Sequence, residues 1–183
     1  MATPEQIAPV PLQELLADPA LAMEWTLDPS RSTVSLHTRS MWGLARVNGI
    51  FRQVTGSASV SPAREITGAI TVAAASVDTQ NTRRDKHLRS ADFFDSGNFP
   101  DITFTCEGVR PSGPGVAVSG ILSIRDRSRP LTFHATVAAR GDDETWLDAT
   151  VHINRADFGL AWNLIGLVSM NATIAVHAVF TGR

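Results

Sequence analysis

The chain has 183 residues, of which 43% are hydrophobic and 19% charged, and a formal net charge of −2. That is the composition of one globular domain, and it excludes wholesale disorder and a general nucleic-acid binder, which needs a clustered basic excess. The single cysteine, Cys106, excludes an internal disulfide framework and a Cys-based zinc cage.

Residues 1–22 read as an N-terminal extension. No Lys or Arg precedes Arg31, and Glu5, Glu14, Asp18 and Glu24 interrupt the segment. It therefore lacks the basic start and apolar core of a secretory signal, and a cytoplasmic protein is expected. Pro11 to Met23 predicts a short helix with Leu12, Leu15 and Leu16 on one face and Pro19 breaking it.

From residue 23 to 183 the dominant period is two. Val34 and Leu36 alternate with Ser35 and His37, and Ile66, Ile70 and Val72 follow within EITGAITVAAASV. Ile102, Phe104 and Cys106 alternate with Thr103, Thr105 and Glu107. Val116, Val118, Leu122 and Ile124 share parity if the strand runs unbroken through Gly120; otherwise the phase shifts there. Leu131, Phe133, Ala135 and Val137 form the next run, then Leu147, Ala149, Val151 and Ile153. Turn chemistry separates the runs at Ser61-Pro62-Ala63-Arg64, Pro111 to Gly115, Asp126-Arg127-Ser128 and Gly141-Asp142-Asp143. Short links between alternating runs predict antiparallel neighbours, about eight in all. An up-and-down barrel closed around one small ligand fits this pattern, and a two-sheet sandwich fits it nearly as well.

Asp78 to Gly97 breaks the alternation and predicts an inserted helical segment at about residues 80–95. Thr82 and Asp85 have capping-box spacing, and Asp85 and Arg89 sit at i,i+4 in the favourable order. Leu88, Phe93 and Phe94 are its anchors, and Ser90 is placed to cap a second short turn. Phe158 to Gly182 carries no charged residue. The stretch is long enough to span a bilayer, but Asn163, Ser169, Asn171, Thr173 and His177 are costly in lipid. Ile174, Val176, Ala178 and Phe180 alternate as a strand, and a transmembrane helix is rejected.

SVDTQNTRRDKHLRSADFFDSGNFPDITF (Ser76 to Phe104) resembles the signature of the YceI-like family, with Arg84-Asp85, His87-Leu88, Asp92-Phe93, Pro100 and Phe104 in its pattern. Trp25 to Leu36, GIFRQVTG (Gly49 to Gly56), Gly120 to Phe133 and Arg155-Ala156-Asp157-Phe158-Gly159 resemble its other stretches. Val54 replaces a second Phe, and Asp126 to Pro130 replaces a more usual turn. The resemblance covers roughly Trp25 to Phe180. It implies an all-β, eight-stranded antiparallel lipocalin-like barrel that binds or carries a polyisoprenoid or quinone-like lipid, with no other cofactor. Many members carry a secretion signal, which makes a periplasmic or secreted location the alternative to the cytoplasm.

The inward-facing candidates for holding such a lipid are Val34, Leu36, Ile70, Val72, Phe104, Phe133, Val151, Ile174, Val176 and Phe180, with Trp162 beside them. Ala74, Ala135, Ala149 and Ala178 are the small residues expected to leave room, and no titratable group is expected on this face. From alternation alone a filled core is the simpler expectation; the resemblance turns it toward a hollow one.

Arg84, His87 and Arg89, with Arg83 and Lys86, form a basic cluster. It reads either as a headgroup contact at the barrel mouth or, preferred here, as internal pairing with Asp85, Asp92 and Asp95 plus helix capping. GLAWNLIGLVSM (Gly159 to Met170) reads as an apolar flap making transient membrane contact, as a homodimer surface, or as a bulged strand buried on both sides. His134, His152 and His177 oppose the apolar faces of their strands and are read as scattered surface residues rather than metal ligands; His37 has no role assigned. Cys106 is read as a buried structural thiol, because a nucleophile needs an adjacent base. The leading expectation is a lipid-binding, sequestering or transporting barrel without catalysis. An enzyme acting on an isoprenoid-type lipid and an interaction module with a filled core remain the alternatives.

Overall fold

The alternating runs pair edge to edge until the sheet meets itself. In the computed structural model, which describes residues 12–17, 23–40, 45–140, 143–160 and 168–182, one antiparallel sheet holds eleven strands. These are β1 (Glu24–Leu27), β2 (Thr33–Ser40), β3 (Ala45–Phe51), β4 (Val54–Val60), β5 (Ile66–Ala73), β6 (Val77–Asp78), β7 (Asp101–Ser112), β8 (Gly115–Ile124), β9 (Arg127–Arg140), β10 (Glu144–Asn154) and β11 (Val168–Gly182). β1 and β2 both pair with β11, β4 and β3 pair with those two in turn, and β5 and β6 continue on β4 and β3. Three staves are thus each broken into two strands, and eleven strands make eight staves. Trp25↔Gly182 to Leu27↔Phe180 closes the ring. Every stave neighbours the next in sequence, so the architecture is an up-and-down barrel and the sandwich alternative is excluded.

The breaks have local causes. Between β1 and β2, the Asp28 carboxylate accepts from the Ser30 amide at 2.9 Å and from Arg31 Nε at 2.7 Å, folding residues 28–31 into a turn. Between β3 and β4, the Arg52 and Gln53 amides donate to the carbonyl and hydroxyl of Ser76, across from the single 3-10 turn Ala74–Ser76 that splits β5 from β6. Ala74, expected on a strand, sits in that turn and is buried.

The phase question at Gly120 resolves on the neighbouring strand. β8 runs unbroken from Gly115 to Ile124, with Val116, Val118, Leu122 and Ile124 all buried. The register slips between Cys106 and Gly108 of β7, a bulge that turns Val109 inward after Cys106. A Cβ on Gly120 would overlap the Thr105 carbonyl oxygen and press the Phe104 ring. The turn expected at Asp126 to Ser128 falls one residue earlier: Ile124 pairs with Arg127, and Arg125 takes the left-handed φ of 56° that a two-residue hairpin needs.

Before the barrel lies α1 (Leu12–Ala17), shorter than the predicted helix; of its expected face, only Leu16 has a described side chain, and residues 18–22 lie outside the described set. The inserted segment holds α2 (Thr82–Arg89), one residue off the expected cap. Asn81, not Thr82, accepts from the Arg84 amide at 3.0 Å. Asp85 does not complete a capping box or pair with Arg89. It is buried and accepts from both the amide and the hydroxyl of Thr79, at 2.9 and 2.5 Å. Ser90 closes the C-terminus of α2 on the His87 carbonyl rather than opening a second helix. Phe93 and Phe94, in T-shaped contact at 4.8 Å, descend from this segment into the barrel, where Phe94 meets Phe51.

Candidate functional site

Because one face of every stave is apolar, the barrel axis collects side chains without hydrogen-bonding capacity. They leave a cavity of about 230 Å³ along the axis, lined almost wholly by apolar atoms. Ten of the eleven predicted positions line it: Val34, Leu36, Ile70, Val72, Phe104, Phe133, Val151, Ile174, Val176 and Phe180. Trp162 lies outside the described residues. One end is bounded by Trp25, Val60, Ile66, Leu147 and Phe180, with Leu16 of α1 over it. The other is bounded by Phe51, Ile102, Leu122, Ile124 and Leu160, with Phe93 and Phe94 of the inserted segment.

The small residues that create the space differ from those expected. Ala135 and Ala149 pack tightly with Val116, Val118, Val137 and Val151, and Ala178 is buried in the main cluster. The cavity is instead lined by Ala58, Gly68, Ala69 and Ala172. Gly68 is confined by close backbone: a Cβ there would stand 2.9 Å from the Ala58 Cα.

The expectation of an interior without titratable groups is corrected by Arg155. It lines the cavity and is 2% exposed. Its Nε and Nη2 donate to the Ser169 carbonyl at 3.0 and 2.7 Å, and its Nη1 donates to the Leu160 carbonyl at 3.2 Å. The Phe93 ring lies 5.4 Å from the guanidinium carbon. Among the described residues no carboxylate is within ion-pair distance of it, and burial pushes its pKa down. The signal was present in the sequence. Leu147, Ala149, Val151 and Ile153 point inward, and Arg155 stands next on the same parity.

Cys106 also faces the cavity. Burial pushes its thiol pKa up, and among the described residues Sγ reaches the Gly108 carbonyl alone, at 3.7 Å. A raised pKa keeps the thiol in its neutral form, and among the described residues no base is bonded to it.

Arg84, His87 and Arg89 do not line the cavity. Arg84 donates to the Thr79 hydroxyl and carbonyl at 2.7 and 2.9 Å, and Arg89 to the Val77 carbonyl at 2.8 Å. The His87 ring lies 6.5 Å from that of Phe93. Among the described residues Arg84 and Arg89 form no ion pair with Asp85, Asp92 or Asp95; these arginines grip the β6 backbone and its Thr79 extension instead. Thr79, buried, donates to Asp85 and accepts from Arg84, so these three side chains stitch α2 to the barrel.

The outer histidines each have a local partner. His177 Nδ1 lies 2.7 Å from Asp148, His134 Nδ1 3.2 Å from Ser112, and His152 Nδ1 3.1 Å from Thr173. His37 Nδ1 lies 2.9 Å from Asn48. Among the described residues no three metal-ligating side chains converge. Of the Gly159–Met170 stretch, Leu160 is 2% exposed, while residues 161–167 lie outside the described set.

The chain matches the family described as YceI-like domain over residues 25–180. It is 31% identical to the protein YceI of Escherichia coli over 131 residues, covering 69% of this chain and 68% of that protein. Its fold is similar to the crystal structure of Burkholderia cenocepacia BcnA, with a TM-score of 0.76 and 24% identity over 84% of this chain and 98% of that one. It is also similar to a polyisoprenoid binding domain from Saccharophagus degradans implicated in plant cell wall breakdown, with a TM-score of 0.71 and 16% identity over 88% of this chain and 99% of that one. Since the matched span begins in the stave that closes the barrel and ends in the stave it closes upon, the chain belongs to the YceI-like family.

Proposed function

We propose that this protein binds a polyisoprenoid or similar amphiphilic lipid in its barrel cavity and acts by sequestering or transporting it, without bond chemistry. The observation that carries the reading is an axial cavity whose exposed wall is almost wholly apolar, Arg155 being the one cation among its described lining residues. The 230 Å³ cavity is many times the about 10–15 Å³ that a single water-sized group needs, so it admits a run of chain carbons. At about 0.8 kcal/mol per buried CH₂, each five-carbon isoprene unit supplies about 4 kcal/mol before ordering and association costs, so a few buried units suffice for tight binding without a strong polar contact. The fold's likeness to a polyisoprenoid binding domain supports the same reading.

Mass spectrometry of an organic extract of the purified protein tests it. The expected result is a stoichiometric prenyl-type lipid, or uptake of one added to delipidated protein. Ile174→Trp, which puts an indole into the middle of the cavity, should abolish uptake while leaving the circular dichroism spectrum of the barrel intact. A protein that neither carries nor takes up an apolar chain would falsify the carrier reading.

A further inference from the structure

Arg155 is out of keeping with a cavity built only for hydrocarbon. A buried guanidinium is costly unless its charge and its donors are both satisfied. It has five N–H donors. Three are directed at the Ser169 and Leu160 carbonyl oxygens, and Nη2 also faces the Met170 sulfur at 4.0 Å. Among the described residues nothing accepts from the second N–H of Nη1, and no carboxylate balances the charge. Phe93 covers the guanidinium. The carbonyls fix its orientation but leave its net charge in place.

We propose that the ligand carries an anionic oxygen headgroup, a carboxylate or a phosphate, received by Arg155 at the Phe93 end of the cavity, with the hydrocarbon tail running toward Trp25 and Leu16. This rests on the lipid-binding reading above and adds to it a headgroup class and a direction. An oxygen anion supplies what the site lacks: an acceptor for the remaining donor and a counter-charge in a low-dielectric setting. Of the other cations near this end, Arg84 and Arg89 lie outside the cavity and are committed to Thr79 and the Val77 carbonyl, and Arg125, also outside it, donates to the Phe93 carbonyl at 3.1 Å and lies over the Phe99 ring. Among the described residues the opposite end presents apolar groups and the hydroxyl-bearing Ser57, Thr67 and Thr145, with no charged side chain.

Titration calorimetry with three probes of equal chain length, farnesyl phosphate, farnesoic acid and farnesol, tests the assignment. Wild-type protein should bind one or both acids about 10- to 100-fold more tightly than the alcohol. The stronger of the two identifies phosphate or carboxylate as the preferred head. Arg155→Met should bring the acids down to the level of farnesol, and Arg155→Lys should retain part of the preference. Arg155→Met also removes donors to two carbonyls. Should it not fold, the wild-type Arg155 Nε–H resonance decides, shifting with the preferred acid and not with farnesol. Equal binding of acids and alcohol by the wild type overturns the headgroup assignment and leaves the lipid cavity standing. So does an acid preference that survives in folded Arg155→Met, or a loss there that weakens all three probes alike. Failure of all three to bind overturns both readings.

Discussion

The two ends of the cavity are built by different means. At the Trp25 end, Trp25, Val60, Ile66 and Phe180 pack against one another and Leu16 in an apolar cluster. At the Phe93 end, directional polar bonds do the holding: Thr79 to Asp85, Arg84 to Thr79, Arg89 to Val77 and Arg155 to Ser169 and Leu160. Apolar packing tolerates any ligand chain that excludes water. Directional bonds fix positions and with them the kind of group that fits. The first end is suited to a tail and the second to a recognised chemical group.

Truncation at the apolar end should produce the largest loss. Trp25 is 6% exposed, and Trp25→Ala should cost about 3–5 kcal/mol in urea unfolding. A loss below about 1 kcal/mol would mean that this end is not a packed part of the barrel. At the polar end Thr79→Val keeps the shape but removes the hydroxyl that donates to Asp85 and accepts from Arg84. It should cost about 1–3 kcal/mol and leave probe affinity unchanged. A fall in affinity at full folding would bring the α2 stitch back into the binding site and erase the division drawn here.

The smallest effect concerns acid. On the outside of the apolar end, Asp28 is held by Ser30 and Arg31, and Arg31 reaches on to Glu144. The Ser30 hydroxyl and then Arg31 lower the Asp28 pKa to about 2. An unfolded aspartate titrates at about 3.9. The folded state therefore binds this proton more weakly, so the stabilisation is complete above about pH 4 and lost as pH falls through about 2. The urea midpoint of wild type should exceed that of Asp28→Asn at pH 6, and the gap should close by pH 2. A gap independent of pH would show that the turn geometry, not the charge, matters.

Strand alternation and turn residues made the barrel interior legible in the sequence. Ten inward positions follow from period two because a closed sheet has one inside and one outside. What escaped depends on pairing across long separations. The phase question at Gly120 resolves through a bulge on the partner strand at Cys106–Gly108, visible only once the register is known. The arginines of the basic cluster have acids nearby in sequence, but their partners are backbone carbonyls and Thr79, which carry no charge. Arg155 lay on the inward parity in plain view. It continues the inward parity of β10 by one residue, into the 3-10 turn Arg155–Phe158, where alternation stops being a guide.

The closing contact joins residues more than 150 positions apart, since Leu27 sits opposite Phe180. Contacts of such span form late, because loop-closure entropy opposes them until neighbouring staves are in place. During synthesis the earlier staves emerge with their apolar faces uncovered, and no enclosed interior exists until β11 docks against β1 and β2. Enclosure is thereby tied to the docking of β11: a chain without it has no interior for the proposed ligand to enter, and its open sheet would be aggregation-prone.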